Sequence, residues 1–415
     1  MSYSIVRQFK ILAMVFVVLW GLQSWADVDA NDAIFLRQPN YLVGAYYFGA
    51  FSASARSQIQ GTARVYGRSD DWWGGIKDFY GGEPGVPKNA RGWPGDYSHL
   101  KPSIGYYDQR STETLRKHIQ QASDAGLGFF SFYWYWSKAQ KRELLPEALQ
   151  SFIQANTDGK MKFNISLYAH PWDPDMAIGS TNATAIAEQI VAYFADPNYL
   201  RLPDGRPVFV MGDHRNILDL SDKKCTKTNC HVSAANRFIL LLKQVSLSKL
   251  GVAPFVQIQT GANGWDAVGQ ADGVTCLVPP ILVEGGTPYP ALDGSVFAPL
   301  SSARKPVSPC MLQNFDERPR QDVLITDRSS IRYLVGKTGE TFRHNLDVTR
   351  QFADANFARD KHPASLIVYL YAWNEWHEGG ILEPNVETGA EDLNIVADVF
   401  HLRRGVSRCS NKGAC

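Results

Sequence analysis

Eight short apolar and aromatic runs, at residues 42–48, 127–136, 162–170, 207–212, 254–260, 273–278, 308–314 and 366–373, alternate with amphipathic stretches along this chain. Few polar residues interrupt the runs, which is the pattern of strands covered on both faces. Between them, residues 112–125, 143–155, 183–194, 234–250 and 340–359 repeat apolar residues at helical spacing, several opening at Ser or Thr. Eight such units predict an α/β chain closed into a (β/α)8 TIM-type barrel with long βα loops. A doubly wound open sheet is the alternative, disfavoured because no glycine-rich phosphate turn follows the first run.

Residues 1–26 place Arg7 and Lys10 ahead of an apolar run, residues 11–22, that ends at small residues, as a cleaved signal peptide does. The run is short for a bilayer span, so a secreted or periplasmic product without stable membrane insertion is expected. The six cysteines fit an oxidising compartment, and sequential pairing is expected: Cys225 with Cys230, Cys276 with Cys310, Cys409 with Cys415. No second close pair with His lies at ligand spacing, so no metal or other cofactor is expected. The rest of the 415-residue chain reads as one barrel domain over 27–405, with an aromatic-rich insertion at about 52–105 and a disulfide-closed tail at 406–415. A formal charge of +1 offers no field for nucleic acid, which points away from a polyanionic partner.

Carboxylates concentrate at the end of the last run, in "YAWNEWHEGGILEP", residues 371–384. Glu375 would lie just past the carboxyl end of the eighth strand, where barrels keep catalytic groups, with Glu378 three residues on. Strand alternation carried through the run turns Tyr369, Tyr371, Trp373 and Glu375 inward. Other strand ends offer Tyr46, Tyr47, Trp134, Tyr135, His170, Trp172, Asp213, His214, Asn314 and Asp316, and the insertion offers Trp72 and Trp73. Rings and acids around one rim suit an oligo- or polysaccharide, because aromatic faces stack on sugars. Paired carboxylates suit glycosidic cleavage, one protonating the departing oxygen and the other acting as base or nucleophile. Purely structural roles compete at every one of these positions: a cap for Glu378, an arginine partner for Glu375, a loop anchor for Trp72 and Trp73.

The same motif resembles the signature of the glycoside hydrolase family 99 endo-α-mannosidases and their WbsX-like relatives, a Trp-Asn-Glu-Trp core followed by Glu-Gly and a later Glu-Pro. "DDWWGG", "IGYYDQRSTETLRKHIQQASDAGLGFFSFYWYW", "GRPVFV" and "DERPR" are similar to WbsX-type segments in the same order. His377 favours the hydrolase branch, since the WbsX branch usually has Ala there. The resemblance implies a metal-free barrel and a retaining mechanism in which the substrate 2-hydroxyl attacks its own anomeric carbon. It assigns Glu375 as the base on that hydroxyl and Glu378 as the general acid and later base. Trp376 and His377 match positions bordering the cleft, Tyr46 more loosely. The expected activity is an exported endo-acting hydrolase of α-linked, mannose-containing glycans. The alternatives are a WbsX-like glycosyltransferase or polysaccharide-processing protein, and a glycan-binding barrel without turnover.

Overall fold

A computed structural model describes residues 40–52, 72, 73, 76, 77, 97, 100–171, 173–219, 221–260, 264–278, 286–301, 303–320 and 331–403. The expected signal peptide, Trp172, Cys409, Cys415 and most of the insertion lie outside these residues.

The barrel strands are β1 (Leu42–Tyr47), β2 (Phe129–Ser137), β3 (Lys162–Tyr168), β4 (Val208–Asp213), β5 (Phe255–Gln259), β6 (Gly273–Thr275), β7 (Cys310–Leu312) and β8 (Ile367–Tyr371). They pair in parallel in the order β6-β5-β4-β3-β2-β1-β8-β7. Between β6 and β7 the ladder thins to one bridge, Val274 to Val307, flanked by two backbone hydrogen bonds of 2.9 Å. The Cys276–Cys310 disulfide crosses this seam with a Cα separation of 5.4 Å, as expected from sequence. The expected Cys225–Cys230 bridge is also formed, beside the start of a long helix.

Around the ring run α1 (Thr112–Asp124), α2 (Glu147–Ala155), α3 (Ala183–Phe194), α4 (Thr228–Leu250), α5 (Gly339–Asp360) and α6 (Glu391–Val399). The expected 143–155 helix is shorter. Its first residues form a strand, Arg142–Leu144, paired antiparallel with the end of β2, and the helix opens only after Pro146, whose fixed φ suits a helix start. α4 begins earlier than its apolar spacing implied. α5 is capped by Thr338, whose side chain accepts from Thr341 N–H. Ser111 occupies the corresponding position on α1 without making a cap hydrogen bond.

The ring interior is filled by a tyrosine column. Tyr46 stacks between Tyr369, at 5.3 Å, and Tyr133, at 5.8 Å. Their polar neighbours are satisfied inside the barrel: the Tyr369 hydroxyl donates to Gln257, the Tyr168 hydroxyl donates to Gln259, and Gln259 donates to the Tyr46 hydroxyl. Asn164, in a glycosylation sequon, is enclosed here and donates to the Tyr369 hydroxyl at 3.3 Å.

Candidate active site

Beyond β8 the chain folds back on itself: Asn374–Glu375 pairs antiparallel with Gly380–Ile381, setting Glu375 opposite Gly380. The Glu378 N–H donates to the Glu375 carbonyl at 2.9 Å across the turn. Gly379 sits at φ +72°, and a Cβ there would fall 2.7 Å from the Asp316 backbone nitrogen. At Gly380 a Cβ would fall 2.6 Å from the Tyr371 ring. The first position thus needs glycine for its handedness and the second for space. Packed this closely, the Tyr371 hydroxyl donates to Glu378 Oε2. Asn374 stitches the other arm to the end of β1, accepting from Phe48 N–H at 2.8 Å and donating to its carbonyl at 2.9 Å. Glu375 is buried and Glu378 half-buried, both at the carboxyl-end mouth of the barrel.

β2 lines the mouth with one face only. Tyr133 meets Tyr168 edge-on at 5.0 Å, and Tyr135 lies against His170 at 5.7 Å. The other face goes to the helices: Phe130 and Phe132 pack on Phe152 of α2, while the Trp134 indole donates to Glu143 at 2.8 Å and stacks on Trp136. Trp134 is therefore corrected from cleft to outer layer, since neighbours on a strand cannot share a face. Tyr47 is corrected likewise; it points outward onto Phe132 and His118, while Tyr46 points in. Trp373 also lies outside, against Phe130 and His118, because β8 ends at Tyr371 and its alternation stops there. Tyr46 is fully buried and donates to the Cys276 carbonyl at 2.8 Å, so it is the floor beneath the mouth.

Tyr133 was missed in the sequence reading, although Tyr135 two residues on should have marked it. Burial, then the charge of Glu375, holds its hydroxyl well above the ordinary phenol range. Its oxygen is shielded from solvent and has no hydrogen-bond partner among the described residues.

Behind the hairpin stands an aromatic wall. Trp73 stacks on Phe51 at 4.0 Å and donates to the Tyr107 carbonyl at 2.7 Å, and Trp72 meets His377 edge-on at 6.1 Å. His377 lies parallel to Phe51 at 5.6 Å. Both tryptophans are buried, so the structure places them as anchors of the insertion rather than open platforms. Trp376 faces the same wall and donates to Glu383 Oε2 at 3.0 Å. Glu383, fully buried, also accepts from the Tyr107 hydroxyl at 2.7 Å and from His118 Nε2 at 3.1 Å. His118 Nδ1 in turn shares a hydrogen bond with the Tyr47 hydroxyl at 2.8 Å. One carboxyl group thereby ties the hairpin, the segment before α1 and α1 itself together, its oxygens hydrogen-bonded as buried polar groups require.

On the remaining rim, Asp316 binds Arg318 through two oxygens, and the guanidinium lies over Tyr97 at 5.1 Å and Tyr333 at 4.2 Å. The Asp316 N–H donates to the Glu378 carbonyl at 2.6 Å, so this pair braces the turn. Asn314 sits beside it with a buried Oδ1 that finds no partner among the described residues. Across the mouth His170 Nδ1 lies 3.7 Å from Asp213. Burial pushes the Asp213 carboxyl up, but nearby His170 and the hydrogen bonds from Arg215 outweigh it and hold it at about 2. The fold thus gathers Glu375, Glu378, Tyr135, His170, Asn314, Asp316 and His377 at one end of the barrel.

A model of the family described as glycosyltransferase WbsX matches residues 67–396. Two curated relatives, both uncharacterized WxcX proteins of Xanthomonas campestris pv. campestris, are 23% identical over 349 residues, covering 77% of this chain and 46% of theirs. The chain spans about half the length of these relatives. Among solved structures, a GH99 endo-alpha-mannosidase from Bacteroides thetaiotaomicron superposes with a TM-score of 0.51 at 13% identity, over 86% of this chain and 96% of that one. A glycoside hydrolase-like protein gives 0.51 at 16%, over 88% and 94%. Identity this low speaks for a shared barrel and not for a shared reaction. The family model, in contrast, spans most of the sequence, and this chain belongs to the family described as glycosyltransferase WbsX.

Proposed function

We propose that this chain is a glycan-processing enzyme, and specifically an exported, retaining, endo-acting hydrolase of α-linked, mannose-containing glycans. The observation that carries the reading is the hairpin, which fixes Glu375 and Glu378 on one braced turn at the carboxyl-end mouth, with Tyr371 holding the second. Glu375 takes the proton of the sugar 2-hydroxyl while that oxygen attacks C1, and Glu378 protonates the departing glycosidic oxygen. Water then opens the strained ring, giving its proton to Glu378, and the 2-oxygen recovers its proton from Glu375. Two inversions at C1 give net retention. Tyr135, His170, Asn314 and Asp316 are positioned to contact flanking sugars. Export fits the leader-like residues 1–26 and the two disulfides, and among the described residues no helix is long and apolar enough to cross a membrane.

A second reading, transfer from an activated donor, is favoured by the family's description. Digestion of a glycan library with mass readout, with and without nucleotide sugars, separates the two. Glu375→Gln and Glu378→Gln should each lower kcat by about 10²- to 10⁴-fold, with the double variant little worse than either. An activated aryl leaving group should rescue Glu378→Gln selectively. Near-normal hydrolysis by both single variants would sink the reading, and turnover that requires a nucleotide sugar would replace it with the second.

A further inference from the structure

We infer that the Tyr133 hydroxyl is a third member of the reaction centre, donating a hydrogen bond to the substrate oxygen that Glu375 deprotonates; this rests on the hydrolase reading above. Four other tyrosine hydroxyls of the barrel interior already have acceptors: Tyr46 the Cys276 carbonyl, Tyr168 the side chain of Gln259, Tyr369 that of Gln257 and Tyr371 that of Glu378. Tyr133, on the same inward face of β2 as Tyr135, has none among the described residues, although its oxygen is shielded from water. Buried donors without acceptors are rare in folded proteins, and such a group at a candidate site marks a place where a ligand atom is expected. The Tyr133 ring meets Phe48 edge-on at 6.3 Å, and the Phe48 backbone is hydrogen-bonded in both directions to Asn374, the residue before Glu375. Tyr133 therefore lies at the mouth, beside the hairpin that carries both glutamates. The ring is held from below by Tyr46 and from the side by Tyr168, so the donor needs no reorganisation to act.

In the step proposed, the 2-hydroxyl proton passes to Glu375, the oxygen lone pair forms the bond to C1, and the bond from C1 to the leaving oxygen breaks as that oxygen takes the Glu378 proton. Tyr133 keeps its own proton throughout. Its hydrogen bond strengthens as negative charge gathers on the 2-oxygen, which makes it a stabiliser of the transition state.

Tyr133→Phe removes only the oxygen. Turnover should fall by about 10²- to 10³-fold, as when one oxyanion donor is lost, while the melting temperature stays at or above that of the wild type because no folded-state partner is lost. A second measurement reads the contact itself. α-Mannotetraose, and its counterpart lacking the 2-hydroxyl on the reacting ring, are titrated against wild type and Tyr133→Phe. Losing the sugar hydroxyl should weaken binding to wild type by up to about tenfold and have little further effect in the variant. Additive losses, unchanged turnover or a clearly lowered melting temperature would each overturn the proposal. If the wild type binds neither sugar, the mannoside reading fails and takes this proposal with it. Binding with additive losses removes the proposal alone.

Discussion

At the carboxyl end of β4, Asp213 and His214 are adjacent residues that folding makes more acidic for different reasons and in different pH windows. His214 is fully buried, with neither ring nitrogen finding a partner among the described residues. Burial lowers it from 6.5 to about 4, aided by His231 and Arg215 and opposed by Asp213. Between those values the unfolded chain holds the proton and the folded chain does not, so stability is complete above about pH 6.5 and is lost as pH falls toward 4. The loss attributable to this side chain should reach about 3 kcal/mol. Asp213, held low by its partners, acts with the same sign in a lower window: stability present above its ordinary 3.8 and lost only as pH falls toward about 2. His231 and His362 are also lowered by burial and act in the upper window, so the informative quantity is a difference. Denaturant unfolding at pH 7 and pH 4.5 should show a smaller drop for His214→Gln than for wild type. Equal drops would mean that His214 finds a proton acceptor when acid.

The hairpin is the element on which the site depends, and its two glycines make a sharp test. Gly380→Ala would drive a Cβ into the Tyr371 ring and move its hydroxyl off Glu378. Loss of this hydrogen bond to the acid should cost up to about tenfold in kcat, and Tyr371→Phe should reproduce the effect without the steric change. If Gly380→Ala turned over normally, the Tyr371 contact would be idle in catalysis. The strands themselves were legible in the sequence because each is a bounded apolar run, and the motif's position at the end of the eighth run located Glu375 and Glu378. Which rim residues face the cleft was less legible. Tyr46 with Tyr47, and Trp134 with Tyr135, are adjacent aromatics, and composition cannot say which of two rings turns inward. Neighbouring Ser131 and Tyr133 would have settled β2, since they share a face with Tyr135 and leave Trp134 and Trp136 for the helices. Trp373 failed for another reason: alternation was extended past the residue at which the strand ends. The role of Glu383 was hidden because its partners, Tyr107 and His118, are hundreds of residues away.

For the molecule as a whole, the weakest backbone joint and the longer of the two observed disulfides coincide. Cys276–Cys310 spans 34 residues and Cys225–Cys230 only 5. On the chain-entropy model the first should stabilise by about 4 kcal/mol and the second by about 2. Paired Cys→Ser substitutions at each site, compared by denaturant unfolding under oxidising conditions, should rank in that order, and the 276/310 pair should also raise hydrogen exchange along β6 and β7. A ranking in reverse would show that the seam is held by packing and not by the bridge. The seam has one more implication. A cylinder of strands is a continuous hoop, and here the hoop is completed by a covalent clasp that thiol reductants can open. The same polypeptide made in a reducing compartment would have to close its ring on a single bridged residue pair, so the mechanical soundness of the barrel would depend on the redox state of that one clasp.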